Sequence, residues 1–230
     1  MAPCLLVFTK PAVPGRVKTR LLGALSPVQA AALHAAFLGD LLERLAFGVS
    51  PPSFTVRLAW ALEEGEEPPP SPLPAVRQQG ADLGERLHAA LRDAAVEHPL
   101  VAAVGSDHPE LPRERVEEAF AALAAGADVV LGPAADGGYY LVAVRRQALS
   151  PRLFAAIPWS TSRVLACTLE RCAELGLATA LLPLAADVDT PADLQRLAAA
   201  LGDPLAAAAL PACPRTAALL RSWESIPAVP

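Results

Sequence analysis

The sequence predicts an α/β protein with a mixed sheet, and three observations carry that prediction. Leu100 to Val104 is an uninterrupted apolar run that breaks sharply at Gly105. Such a run reads as a strand buried on both faces, the kind found in parallel sheets. Cys4 to Thr9 is a second apolar strand, and it feeds a basic, glycine-containing loop that opens a helix. Finally, Asp128 to Leu131 and a strand ending at Val144 are separated by about half a dozen residues. A parallel crossover needs about a dozen or more, so these two strands pair antiparallel if they pair at all.

The elements follow in order. After the first strand, Lys10 to Leu21 contains Lys10, Arg16, Lys18 and Arg20 and no acid, while Pro11, Pro14 and Gly15 fix the path. Backbone N–H groups, the helix N-terminus and the cations all favour an anion there. A solvated basic surface loop is the plainer alternative. The GxxxxGK[ST] spacing of a Walker loop is absent. Ser26-Pro27-Val28-Gln29 is a capping box with proline at the first helical position, starting a helix to about Phe47. Thr55 to Ala61 alternates as a strand, Glu63 to Pro74 is an acidic, proline-rich loop expected to be mobile, and Val76 centres a third short strand. Asp82, Gly84 and Arg86 lie in the turn that opens a helix reaching about Glu97.

Asp107 stands two residues past the break of the central strand. In open α/β sheets the ligand crevice lies outside the carboxyl ends of the strands, where Asp107 would meet a metal ion or a phosphate-bearing substrate. The residue also fits a simple turn before the helix from Pro112 to Ala125. Asp136-Gly137-Gly138 is a good hairpin turn, and Tyr139 and Tyr140 lend it a binding role in an aromatic-poor chain. A helix spans about Ser162 to Leu175, and Ala178 to Leu184 is the last strand. Thr190, Pro191 and Asp193 form a capped helix start, preceded by Asp187 and Asp189. Alternation along an extended segment points those two to the same face. Residues 202–230 read as a Pro/Ala-rich tail with one short helix near Thr216 to Trp223, leaving 1–201 as the domain.

Composition narrows the function classes. A chain of 230 residues, 53% hydrophobic, fits one α/β domain with many close-packed helices. A net charge of −5 gives no general basic footprint, so broad nucleic-acid binding is excluded. The four cysteines form no CxxC pair and read as buried or half-buried thiols. His108 is the one histidine expected at the site, which makes zinc a weak reading, and no Ser-His-Asp, Cys-His or GxSxG arrangement presents itself. No run approaches the length of a membrane span and no signal-type segment is seen, so a soluble, cytoplasmic protein is expected. The apolar helices could pack internally or against a second copy as a homodimer.

The basic loop, Asp107 and the Asp187/Asp189 pair converge on one sheet edge. Carboxylates facing a phosphate loop suit Mg²⁺ or Mn²⁺, which take oxygen ligands and bridge to phosphates. Six ordered blocks then carry a family resemblance over about residues 4 to 200: Phe8 to Leu21, Asp82 to Arg86, Gly105 to Pro112, Gly132 to Leu141, Pro158 to Thr161, and Asp187 to Pro191. They resemble a bacterial family named, largely by analogy, as glycosyltransferases of the nucleotide-diphospho-sugar transferase (GT-A) superfamily. That family is related to phospholactate guanylyltransferases and, more distantly, to molybdenum-cofactor nucleotidyltransferases.

The resemblance implies a three-layer α/β/α sandwich with a Rossmann-like, mostly parallel mixed sheet of about seven strands. It implies a metal held by Asp107 and Asp189, with Asp187 as the alternative, and phosphates held by Lys10, Gly15, Arg16, Lys18, Thr19 and Arg20. Lys18 would also serve the chemistry, Asp82 and Arg86 would contact the nucleotide, and Gly137, Gly138, Tyr139 and Trp159 would line the acceptor side. His108 departs from the small residue expected beside Asp107. The expected reaction is glycosyl transfer from a nucleotide sugar to a small-molecule acceptor, with Asp136 as base. Nucleotidyl transfer from a nucleoside triphosphate is the alternative, favoured by four cations in one loop. A non-catalytic nucleotide-binding module is the third reading.

Overall fold

Seven short strands take up the apolar segments: β1 (Cys4–Thr9), β2 (Thr55–Trp60), β3 (Ala75–Arg77), β4 (Leu100–Gly105), β5 (Val129–Pro133), β6 (Tyr139–Arg145) and β7 (Thr179–Leu181). In this computed structural model, which describes residues 1–48, 52–203, 206–207 and 211–223, they form one sheet in the order β3-β2-β1-β4-β6-β5-β7. β6 runs antiparallel to β4 and β5, and the other neighbours are parallel. The short connection from β5 to β6 forces that reversal, because it leaves no length for a crossover. The protein has the α/β fold with a mostly parallel mixed sheet that the sequence predicts.

The helices are α1 (Pro27–Ala46), α2 (Leu83–Ala95), α3 (Arg113–Ala125), the single turn α4 (Pro151–Phe154), α5 (Val164–Glu174), α6 (Pro191–Gly202) and α7 (Pro214–Arg221). Of the C-terminal tail expected over 202–230, residues 204–205, 208–210 and 224–230 lie outside the described residues. The chain forms two compact units.

The first unit comprises residues 1–9, 52–105 and 113–186 and holds the whole sheet. Strand alternation divides its side chains between two faces. Leu6, Val101, Ala103, Leu131 and Val142 pack with Leu87 and Leu91 of α2 in one apolar cluster. Leu5, Val7, Ala102 and Val130, which point the other way, are also buried, so the central strands read as continuous apolar runs. The acidic stretch after β2 is tied down: the Arg77 guanidinium donates to the carbonyls of Leu62, Glu63 and Glu66.

The second unit gathers residues 10–48, 106–112, 187–203, 206–207 and 211–223. Its core joins Leu33 and Phe37 of α1 to Leu21, Val188, Leu194 and Leu220. The capping box at Ser26 is present, with the Ser26 side chain accepting from the Gln29 N–H and the Gln29 side chain from the Ser26 N–H. Asp40 lies on the buried face of α1, 1% exposed, and its carboxylate accepts the Arg215 and Thr216 N–H groups at 2.9 and 2.8 Å. It therefore caps α7 from a distant helix, satisfying donors the helix leaves open.

Candidate active site

The candidate site within the second unit starts from a turn. Pro14 supplies the fixed φ, Gly15 adopts φ +80°, and the Arg16 N–H returns to the Val13 carbonyl at 3.0 Å. These are the marks of a type II turn. The loop next reaches Lys18, whose backbone is left-handed at φ 50°, ψ 39°, before the 3₁₀ turn Thr19–Leu21 buries Leu21. A non-glycine residue there is strained by about 1 kcal/mol or more.

Lys18 spends that strain on a specific set of contacts. Its Nζ lies 2.7 Å from Asp107 Oδ1, 3.4 Å from Asp189 Oδ1 and 2.6 Å from the Val188 carbonyl oxygen. The Lys18 side chain is 2% exposed, against 46% for Asp107 and 33% for Asp189. The Phe37 ring lies beneath it, 5.0 Å from Nζ to centroid, in cation–π range. Arg20 reaches the other oxygen of Asp189 at 3.3 Å. The Val188 N–H donates to the Asp107 carbonyl at 3.3 Å, so the two acidic segments are joined through their backbones.

Further contacts hold this cluster in place. Arg44 of α1 donates to the carbonyls of Pro109 and Leu111 at 2.7 and 3.1 Å, bracing the segment that follows Asp107. Thr190 and Asp193 complete a capping box at the start of α6, directly after Asp189. His34 bonds through Nε2 to the Lys10 carbonyl at 3.0 Å, and its Nδ1 stands 3.9 Å from Asp107 Oδ1. Burial lowers the His34 pKa despite the Asp107 charge. The imidazole is therefore neutral near pH 7 and is a dipolar neighbour, not an ion-pair partner. Burial opposes ionisation of Asp107 as well, but the Lys18 charge and hydrogen bond hold its pKa below the ordinary 3.8.

His108, the histidine expected at the site, is buried, and its pKa is lowered to about 4 by burial and the Arg196 charge. Asp187 is not among the partners of Lys18, and its carbonyl accepts from Arg196. The structure thus brings Lys18, Arg20, Asp107 and Asp189 together and adds His34, Phe37 and Val188, which the sequence reading did not select. His34 and Phe37 lie one helical turn apart on the buried face of α1, the only local signal that could have found them.

The remaining candidates lie in the first unit. Asp82 caps α2, its Oδ1 accepting the Glu85 N–H at 2.8 Å, and Arg86 Nε donates to the Gly80 carbonyl at 3.0 Å. An open groove of about 300 Å³ adjoins this helix start, lined among others by Asp82, Glu85, His88, Pro151 and Phe154. Asp136 Oδ1 accepts the Gly138 N–H at 2.8 Å in the exposed turn, so one of its oxygens serves that turn. Gly137 has φ +88°, and a Cβ there would stand 2.2 Å from the Ser162 carbonyl oxygen. Tyr139 and Trp159 meet edge to face at 6.2 Å, and Trp159 also abuts Gly84 of α2. Both aromatics are half-buried packing partners of the core beneath α2.

Comparison with known proteins decides the family. The family model described as "Uncharacterized protein conserved in bacteria (DUF2064)" matches residues 54–161. No curated protein matches the chain significantly. A crystal structure from Desulfovibrio desulfuricans G20, provisionally named a nucleotide-diphospho-sugar transferase, is 33% identical with a TM-score of 0.84, covering 96% of this chain and 95% of that one. The chain belongs to that nucleotide-diphospho-sugar transferase family. It is a transferase. More distant likenesses show the fold alone. CMP:2-keto-3-deoxy-manno-octonic acid synthetase, solved with CTP, is 14% identical at TM-score 0.53, covering 86% of this chain and 97% of that one. Molybdopterin-guanine dinucleotide biosynthesis protein A from Archaeoglobus fulgidus is 16% identical at TM-score 0.53, covering 84% and 95%.

The acidic pair of this transferase fits a divalent cation in one specific way. Mg²⁺ is commonly held by one or two carboxylates together with substrate phosphates, and Asp107 and Asp189 supply such a pair. Among the described residues no group of three or more His, Cys, Asp or Glu side chains could hold a metal ion. Also among the described residues, no helix is long and apolar enough to cross a membrane.

Proposed function

We propose that this transferase moves a glycosyl group from a nucleoside-diphosphate sugar to a small-molecule acceptor. The observation that carries the reading is the commitment of Lys18 to both Asp107 and Asp189. Lys18 thereby faces both carboxylates, and Arg20 faces one of them. A nucleotide sugar carries two negative charges on its diphosphate, whereas a triphosphate carries about four. A loop whose Lys18 and Arg20 already face carboxylates suits the smaller charge of the diphosphate donor.

In the reaction an acceptor hydroxyl attacks the anomeric carbon, the bond from that carbon to the β-phosphate oxygen breaks, and the nucleoside diphosphate departs. Arg16, Arg20 and the backbone N–H groups around Gly15 bind and orient the diphosphate and stabilise its developing charge. Asp136 is the candidate to take the hydroxyl proton, through the oxygen that the turn does not use. Asp82 and Arg86 are assigned to the nucleotide, and Gly137, Gly138, Tyr139 and Trp159 to the acceptor side, with the two aromatics acting as supports for the turn. Asp107 and Asp189 would hold a Mg²⁺ or Mn²⁺ ion, which when bound neutralises charge on the leaving diphosphate.

The acidic pair also favours a second reading. A divalent cation held there beside the loop cations would equally serve a triphosphate, as nucleotidyl transfer requires. In that case a phosphorylated acceptor attacks the α-phosphate and pyrophosphate leaves. Thermal unfolding with nucleotide sugars and nucleoside triphosphates, each with and without Mn²⁺, separates the two. A ligand at about a hundred times its Kd stabilises by about 2.7 kcal/mol, which is easily seen. Stabilisation by a nucleotide sugar above its parent triphosphate is expected. Preference for a triphosphate only when Mn²⁺ is present would replace glycosyl by nucleotidyl transfer.

A further inference from the structure

Lys18 Nζ sits among three oxygens: Asp107 Oδ1 at 2.7 Å, Asp189 Oδ1 at 3.4 Å and the Val188 carbonyl at 2.6 Å. A small set of carboxylate and carbonyl oxygens is also what a hard divalent cation takes from a protein. An ammonium and a divalent cation cannot share it, because their repulsion at a few ångströms inside a protein is several times the thermal energy. Lys18 is also well anchored. Its side chain is 2% exposed, and Phe37 lies beneath the ammonium. The left-handed backbone at this residue shows that the chain tolerates strain to place the group. Among the described residues no third acidic, histidine or cysteine ligand is arranged to outbid it for a metal.

We propose that Lys18 keeps divalent cations off the Asp107–Asp189 pair in the nucleotide-free protein, and that metal enters only together with the donor. Donor phosphate oxygens offer the ammonium a second anionic partner, so its departure from the carboxylates is compensated only when nucleotide is bound. This second half rests on reading the site as one for a nucleotide donor. The first half concerns the free protein alone. Lys18 is thus a built-in cation that makes metal and donor binding cooperative, a coupling that is reciprocal by thermodynamic linkage.

The test begins with Mn²⁺ alone, titrated into nucleotide-free protein and followed by the electron paramagnetic resonance of the unbound ion. Lys18→Met keeps an apolar stem over Phe37 and removes the charge, and it is expected to bind Mn²⁺ about tenfold more tightly or better than the wild type. Adding Asp107→Asn to that variant should erase the gain. Lys18→Gln serves the same purpose should the methionine variant fail to fold, with thermal melts reporting on folding in each case. Equal Mn²⁺ affinity in the wild type and a folded, uncharged variant would overturn the first half. Wild-type melts with Mn²⁺, with GDP, UDP or CDP, and with metal and diphosphate together then test the second half. Joint stabilisation beyond the sum of the separate effects is expected, and simple additivity overturns ordered entry. If no diphosphate has any effect, the nucleotide reading and the second half fall, while the Mn²⁺ result in the free protein stands on its own.

Discussion

Replacing Asp107 with Asn tests whether the acidic pair is bound to its lysine as the geometry implies. The pair is intermediate in burial, with an ammonium 2% exposed facing a carboxylate 46% exposed at 2.7 Å. Fully exposed pairs contribute about 0–1 kcal/mol, and breaking a buried pair costs about 3–5. Asp189 and the Val188 carbonyl remain with Lys18 after the change, which limits the loss. A cost of about 1–2 kcal/mol follows from discounting the buried value for exposure and for these remaining partners. Urea unfolding reads it: with a slope of about 2 kcal/mol/M the midpoint falls by about 0.5–1 M. A double-mutant cycle with Lys18→Met should give a coupling of about 1 kcal/mol, and a coupling below about 0.3 kcal/mol would refute the charge-pair account. The pH dependence has a definite sign. The folded pKa of Asp107 is held below 3.8, so its contribution is complete above the ordinary carboxylate range and is lost as pH falls through the lower folded value. The difference between wild type and Asp107→Asn should be flat from about pH 5 to 8 and shrink below about pH 4.

Four further outcomes can be measured on the same protein. Gly137→Ala should destabilise by about 2 kcal/mol or more in thermal melts, since a Cβ would stand 2.2 Å from the Ser162 carbonyl at a positive φ; a neutral effect would mean that this turn moves freely. Thr190→Ala should cost about 1 kcal/mol by removing the α6 cap. Burial raises the Asp193 pKa but its bonds to Thr190 outweigh that and lower it from 3.8, so the difference should fade below about pH 4. In native protein at neutral pH a thiol reagent should label Cys167 first. Burial raises the pKa of Cys4, Cys172 and Cys213, the last to about 11, and early mass-spectrometric labelling of Cys213 would contradict its placement. Finally, Lys18→Gly should be more stable than Lys18→Ala by about 1 kcal/mol in urea, because both lose the ammonium and only glycine relieves the left-handed backbone.

Features whose physics is local were legible in the sequence. The boxes at Ser26 and Thr190 close over three residues, and Pro14-Gly15 dictates its own turn. The direction of β6 followed from the length of one connection. The candidate site was legible as a convergence of the basic loop with Asp107 and the Asp187/Asp189 pair, and not in its individual contacts. Within Lys10 to Leu21 the cations have no acid beside them, so the segment read as a phosphate loop with four charges to offer. The acid that meets Lys18 and Arg20 at Asp189 lies 171 and 169 positions away, beyond any local pattern. His108 read as a site histidine from its place beside Asp107, whereas His34 was not selected. What brings His34 to the site is its bond to the Lys10 carbonyl and its approach to Asp107, both products of tertiary packing. Trp159 read as an acceptor contact, and its packing on Gly84 and Tyr139 is a tertiary contact that no local pattern encodes.

The placement of Lys18 therefore adds a condition that the family likeness does not reveal. A left-handed position is normally filled by glycine, which would keep this loop at no steric cost. A lysine there is favourable only if its ammonium returns more than the strain, and its three oxygen partners supply that return. That ammonium then occupies the oxygens of Asp107 and Asp189 that a divalent ion would use. In either glycosyl or nucleotidyl transfer, a divalent ion that serves the donor must take the place of that ammonium. That exchange is set by the affinity of two carboxylates for two competing cations, and it does not depend on the fold that both reactions would share.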